Sequence, residues 1–202
     1  CMVKDIAVDG DTYYYGGYVC GNGKTAENTI VSNVGFLING VPSNQAHDGD
    51  DVIVPIAQIG DTYYESIQEA VKDAAAAASE TNPVTIQLLP GEFEQSITLP
   101  SNISYVTFKG ADNYGTVLKN SSVGHSGGMS AVKTNITFDG IDFDNSNINL
   151  TAIYADTKIE NMTVTNCKFH DITGKAAVSI NTNSLPNLIG FNFTNNIIEN
   201  VS

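Results

Sequence analysis

The sequence predicts an all-β fold: a right-handed parallel β-helix over residues 58–202 with an N-terminal capping α-helix, preceded by a small β-rich region at 1–57. Three observations carry this. Beyond Pro83 the apolar residues recur at period two. Short strand-like segments there repeat every 26 to 30 residues. One alanine-rich stretch with helical periodicity stands immediately before them.

Residues 1–57 hold short β-type runs, Thr12–Tyr15, Ile30–Ile38 and Asp51–Pro55, separated by Gly21-Asn22-Gly23, Asn39-Gly40 and Asp48-Gly49. These separators favour tight turns because Gly and Asn tolerate positive φ. The pentapeptide Gly-Asp-Thr-Tyr-Tyr occurs at 10–14 and again at 60–64, a repetition that either marks two similar entry turns or is chance. The helix is predicted at about 65–79. Alanine is the best helix former, and Ile67, Ala70, Val71 and Ala74 share one face at i, i+3, i+4, i+7. A helix with one modest apolar stripe suits a lid over the end of a β core.

From residue 84 the coils begin. Val84–Leu88 alternates, Pro90-Gly91 turns the chain, and four segments then superimpose without gaps: Val106–Gly110, Ile136–Gly140, Met162–Asn166 and Phe191–Asn195. Each starts apolar–polar–apolar and ends in Gly or Asn, so the fifth position is predicted to be a left-handed turn. A period in this range with one strand set per repeat is the mark of a solenoid. β-Branched and aromatic residues at period two exclude a helical one. Stacked coils put Phe108, Phe138, Val164 and Phe193 in one inward column and Phe143, Phe169 and Ile198 in another. Cys167 falls level with Ile141 and is expected to be a core thiol. The Ser/Gly-rich stretch 120–130 reads as a flexible insertion. Its Gly124-His125-Ser126-Gly127-Gly128 matches a nucleophile elbow in letters only, since no helix pattern follows.

Charge excludes some functions. The chain carries 22 acidic residues against nine lysines, has no arginine, and has a formal charge of −13. Nucleic acid needs cationic contacts along its backbone, so it is not an expected partner. No membrane span is expected either, because no apolar run approaches about 18 residues. No cofactor is implied beyond possible Ca²⁺, for which Asp48, Asp50 and Asp51, and the Asp9-Gly10-Asp11 turn, offer oxygens without full EF-hand spacing. Of three cysteines, an odd count that makes no disulfide framework, Cys1 and Cys20 could pair while Cys167 is placed in the core.

The candidate site comes from the repeat. Eight residues past each start lie Tyr114, Asp144, His170 and Glu199; six past lie Asp112, Asp142, Lys168 and Ile197. Both sets flank inward positions, so both are predicted to face solvent, with Asp142, Lys168 and Tyr114 as binding residues. Asp144, His170 and Glu199 are the catalytic candidates. Two coil rises put Asp144 and Glu199 about 9–10 Å apart, near the upper end of the gap an inverting glycosidase keeps between acid and base.

The stretch from Tyr63 to about Lys119 resembles the opening of pectinesterases and other pectin-lyase-like proteins. The likeness rests on Ser66–Val71 as cap helix, Thr85–Phe93 as first coil, and then Ser96–Leu99, Tyr105–Gly110 and Thr116–Leu118. It is also similar to β-helix domains of large surface proteins from gut bacteria. The resemblance implies the fold and a bacterial cell-surface or extracellular location. It does not carry over the esterase or lyase activity. Those esterases use two aspartates and a substrate arginine. Asp142-Phe143 is the nearest match here, with the wrong neighbours and no arginine. The expected function is therefore an adhesive module that binds a glycan or a host surface protein. A polysaccharide hydrolase and a structural stalk are the alternatives. An uncovered last coil further predicts more coils of a parent chain, or another subunit, beyond Ser202.

Overall fold

The computed structural model describes residues 55–125, 132–155, 157–180 and 188–202, with the backbone alone at His125 and Leu188. Before these it describes the backbone of seven short strands lying between Met2 and Ile53. The chain divides into two compact units, 1–55 and 56–202. The first holds β1 (Met2–Ile6), β2 (Val8–Asp9), β3 (Thr12–Tyr13), β4 (Thr29–Ile30), β5 (Gly35–Ile38), β6 (Val41–Ser43) and β7 (Val52–Ile53). β1, β5 and β6 form a three-stranded sheet, β2 and β3 an antiparallel hairpin, and β4 and β7 a parallel pair. Where a strand is predicted across 30–38, the described strands are β4 and β5. The Ca²⁺ candidates Asp48, Asp50 and Asp51, and also Cys1, Cys20, Gly21-Asn22-Gly23 and Ser126, lie outside the described residues.

The second unit opens with an antiparallel hairpin, β8 (Ala57–Ile59) and β9 (Thr62–Tyr64). Both copies of the repeated pentapeptide thus supply the first residues of a hairpin's second strand, with Asp9 facing Thr12 in one and Ile59 facing Thr62 in the other. Helix α1 follows at Ile67–Ala77, shorter at each end than the sequence pattern reaches. Its first free N–H, at Ile67, is taken by the side-chain oxygen of Gln95 from the first coil. The amide of Asn82 caps the Ala77 carbonyl at the other end. The predicted apolar face is fully buried: Ile67, Ala70, Val71 and Ala74 all pack into the core.

The rest is a parallel β-helix of about four turns. Its strands are β10 (Val84–Leu88), β11 (Gly91–Phe93), β12 (Ile97–Leu99), β13 (Ser104–Lys109), β14 (Thr116–Lys119), β15 (Val123–His125), β16 (Val132–Asp139), β17 (Asp142–Asp144), β18 (Ile153–Ala155), β19 (Lys158–Thr165), β20 (Lys168–His170), β21 (Val178–Ile180), β22 (Leu188–Ile189), β23 (Asn192–Thr194) and β24 (Ile197–Glu199). They form three sheets. One runs β22/β23-β19-β16-β13-β10 and continues into β8-β9, which pairs antiparallel with β10 and so covers that edge. The second runs β11-β14-β17-β20-β24, the third β12-β15-β18-β21. β15 turns part of the predicted loop 120–130 into a strand of the third sheet.

The inward columns are as expected. Phe108, Phe138, Val164 and Phe193 follow one another in register, as do Phe143, Phe169 and Ile198. The rings of Phe108 and Phe138, and of Phe143 and Phe169, stack with centroids 4.9 Å apart, which is the spacing of adjacent strands. Cys167 is buried, and burial pushes its thiol up to about 11, so it is an inert core group.

The left-handed turn at the fifth position is present at Gly140, Asn166 and Asn195 but not at Gly110. There glycine serves a different need: a Cβ would sit 2.2 Å from the Gly140 carbonyl oxygen, so the two backbones meet only without a side chain. The chain then makes a 3₁₀ turn over Asp112–Tyr114 before β14 begins. A further left-handed column, Tyr105, Asn135, Asn161 and Gly190, kinks the long strands of the first sheet; period-two patterning gives no sign of it. Asn and Gly suit such positions because they adopt that conformation at little steric cost.

Candidate functional site

The 3₁₀ turn shifts the first coil by five residues relative to the gapless alignment. Leu118, not Asn113, is level with Phe143, and Lys119, not Tyr114, is level with Asp144. Tyr114 and Asp112 therefore leave the candidate strip, because the inserted turn takes up the residues that would have reached the strand. From Asp144 onward the predicted register holds. Asp144 pairs with His170 and His170 with Glu199, while Asp142 is flanked by Val117 and Lys168. The second sheet thus presents two outward columns, Lys119–Asp144–His170–Glu199 and Val117–Asp142–Lys168–Ile197.

Side chains rearrange this ladder. His170 does not sit between Asp144 and Glu199 as the register alone implies. Its Nε2 lies 2.9 Å from Asp142 Oδ1, and its Nδ1 lies 2.8 Å from Oδ2 of Asp171, the next residue along the chain. Glu199 instead pairs with Lys168 at 3.3 Å, and Lys119 pairs with Glu92 at 3.3 Å. These pairings hold both ammonium groups above their ordinary range, hydrogen bonding to the partner carboxylate being the main cause in each.

Asp142 corrects the expectation of a solvent-facing residue. It is only 8% exposed, and its Oδ1 is buried without a hydrogen bond of acceptable geometry despite the nearby imidazole. Burial raises its pKa, with His170 and Lys168 opposing the shift. Asp171 moves the other way. Its hydrogen bond with His170 and a second from the Asn200 amide, at 3.0 Å, hold its carboxyl below the usual range.

Asp171 was missed by the strand-based alignment because it lies one residue beyond the strand, in a left-handed turn. A signal was present. The residue following each outward column position is Asn120, Asn145, Asp171 and Asn200, so one coil carries a carboxylate where its neighbours carry amides. The geometry gathers Asp144, His170 and Asp171 into one group: each offers a donor atom, and the three atoms lie within 4.8 Å of one another. All three are partly exposed. The strip shares no residue with the shallow cleft lined by Gln87, Pro90, Lys109 and Asp112.

No protein-family model, no curated protein and no solved structure matches this chain.

Proposed function

We propose that this chain is a glycan-binding module of a bacterial cell surface, with the outward face of the second sheet as its contact surface. The observation that carries the reading is the in-register file of Lys119, Asp144, His170 and Glu199 along successive coils. It anchors polar side chains of both donor and acceptor type on backbones about 4.8 Å apart along the coil stack. A polysaccharide presents its hydroxyl groups with a repeat of similar order, so one strip can meet several sugar residues. Carboxylates accept hydrogen bonds from hydroxyls, and Lys and His donate them. The likeness of 63–119 to pectin-lyase-like proteins adds polysaccharide as the ligand class. Acid–base hydrolysis by Asp144 and Glu199 is less favoured, because Glu199 is engaged by Lys168.

A glycan array probed with the labelled chain tests this reading. Binding to at least one class of bacterial or host glycan is expected, weakened tenfold or more by Asp144→Ala and by Glu199→Ala. Binding unchanged in both variants, or no binding to any glycan, would remove the proposal.

A further inference from the structure

The geometry points to a divalent-metal site of the zinc class formed by Asp144, His170 and Asp171, with buried Asp142 as the positioning residue behind the imidazole. This inference stands independently of the glycan reading.

The first ground is the donor set. One imidazole nitrogen and two carboxylate oxygens within 4.8 Å of one another can close on a single ion by side-chain rotation. Imidazole with carboxylates suits zinc and its first-row neighbours, whereas Ca²⁺ takes oxygen ligands alone. In a tetrahedral zinc site with bonds of about 2.0–2.2 Å, neighbouring ligand atoms lie ~3.4 Å apart. The 2.8 Å between His170 Nδ1 and Asp171 Oδ2 has to open by only a fraction of an ångström.

The second ground is Asp142. A histidine bound to a metal through one nitrogen commonly turns its other N–H toward a carboxylate, which fixes the tautomer and the ring. Asp142 Oδ1 occupies that place, 2.9 Å from Nε2, buried and without a hydrogen bond of its own. A metal on Nδ1 would force the proton onto Nε2, giving this orphaned oxygen a donor within reach of a small ring rotation. A buried carboxylate oxygen left without a well-aligned donor is uncommon in folded proteins, and a proton fixed on Nε2 would supply one here.

The remaining contacts orient the ligands and leave donor atoms free. Asn200 holds Asp171 through Oδ1, and the Ser146 N–H holds Asp144 through Oδ1 at 3.0 Å. Asp144 therefore keeps its other oxygen, and Asp171 Oδ2, which pairs with His170 Nδ1, would be released to the ion once the ion takes Nδ1. Lys168 and Lys119 are bridged to Glu199 and Glu92, so their ammonium groups act on Asp142, Asp144 and Asp171 only from a distance. Asp142, Asp144 and Asp171 leave a local negative charge that attracts a dication.

Calorimetric titration of ZnCl₂ into the untagged, EDTA-stripped chain of 202 residues tests the site, with CaCl₂ as comparison. One-to-one zinc binding at micromolar or tighter affinity is expected, with Ca²⁺ weaker by at least tenfold. Asp171→Asn installs the amide that Asn120 and Asn200 carry at the same turn, so the fold tolerates it; zinc affinity should fall at least tenfold. His170→Gln should abolish binding. Asp142→Asn should weaken it about 10–100-fold while stoichiometry stays at one, as expected for a group behind the ligand. No zinc binding by the parent chain would overturn the proposal. So would affinity unchanged in Asp171→Asn and His170→Gln, or affinity lost instead on replacing His47 or His125.

Discussion

The inner and outer faces of the second sheet are built from the same three-residue strands, yet they obey different rules. Inward, β17, β20 and β24 contribute Phe143, Phe169 and Ile198, which stack because each coil repeats the last at strand spacing. Outward, the same strands contribute Asp142, Asp144, Lys168, His170 and Glu199, and here backbone register does not decide who pairs with whom. Lys168 passes over its register neighbours to reach Glu199, and His170 turns toward Asp142 and Asp171. An apolar side chain in a coil stack has nowhere to go but onto its neighbour. A long polar one has rotamers, solvent and turn residues to choose among. Backbone position therefore fixes contacts inside the helix and only proposes them outside.

The largest effect expected from this contrast is at the centre of the inner face. Phe143→Ala removes a fully buried ring stacked at 4.9 Å on Phe169, and should lower unfolding free energy by about 3–5 kcal/mol. Ile198→Ala in the same column should have a much smaller effect, because Ile198 is 52% exposed on the last coil. Urea denaturation of both variants measures the gradient. Equal losses would mean that the column does not act as a stack in which each residue is buried by its two neighbours.

Legibility from sequence follows the same division. The solenoid, its cap helix and both aromatic columns were readable because burial imposes period two within a strand and one apolar residue per coil. The five-residue shift at Tyr114 was not, because a 3₁₀ turn leaves no periodic trace and the gapless alignment ran straight through it. Asp171 escaped for a related reason: it sits in a turn rather than a strand, although the Asn-Asn-Asp-Asn file at that position pointed to it. The burial of Asp142 had no signal, since alternation assigned it outward and His170 covers it from the neighbouring coil.

Lys133 breaks the rule of an apolar interior from within and gives the next effect in size. It is level with Ile159 at an inward position, 1% exposed, with its ammonium group donating to the Pro100 carbonyl. Burial lowers it from 10.5 to about 8. Below pH 8 the amine is protonated in both the folded and unfolded states, so it adds no pH dependence. Between pH 8 and about 10.4, its unfolded value, the unfolded chain binds more protons, so this group's contribution to stability rises with pH. The stability of the parent chain relative to Lys133→Met should therefore shift in the parent's favour across that window, by up to about 3 kcal/mol. A flat difference in paired melts from pH 7 to 10 would show that the ammonium reaches solvent.

The smallest effect belongs to the outer face. Lys168 and Glu199 meet at 3.3 Å with Glu199 54% exposed, so water and salt screen the pair and ordering two long side chains offsets much of the attraction. Glu199→Gln and Lys168→Met should each leave the melting midpoint within experimental error, in low salt as in high. The outer face then stands as a surface whose charges are not needed for folding, open to alteration without loss of the coil stack. A melting midpoint that fell in Glu199→Gln and was restored when Lys168→Met was added would instead make the pair part of the scaffold. The strip would then lose its standing as a surface available for a ligand.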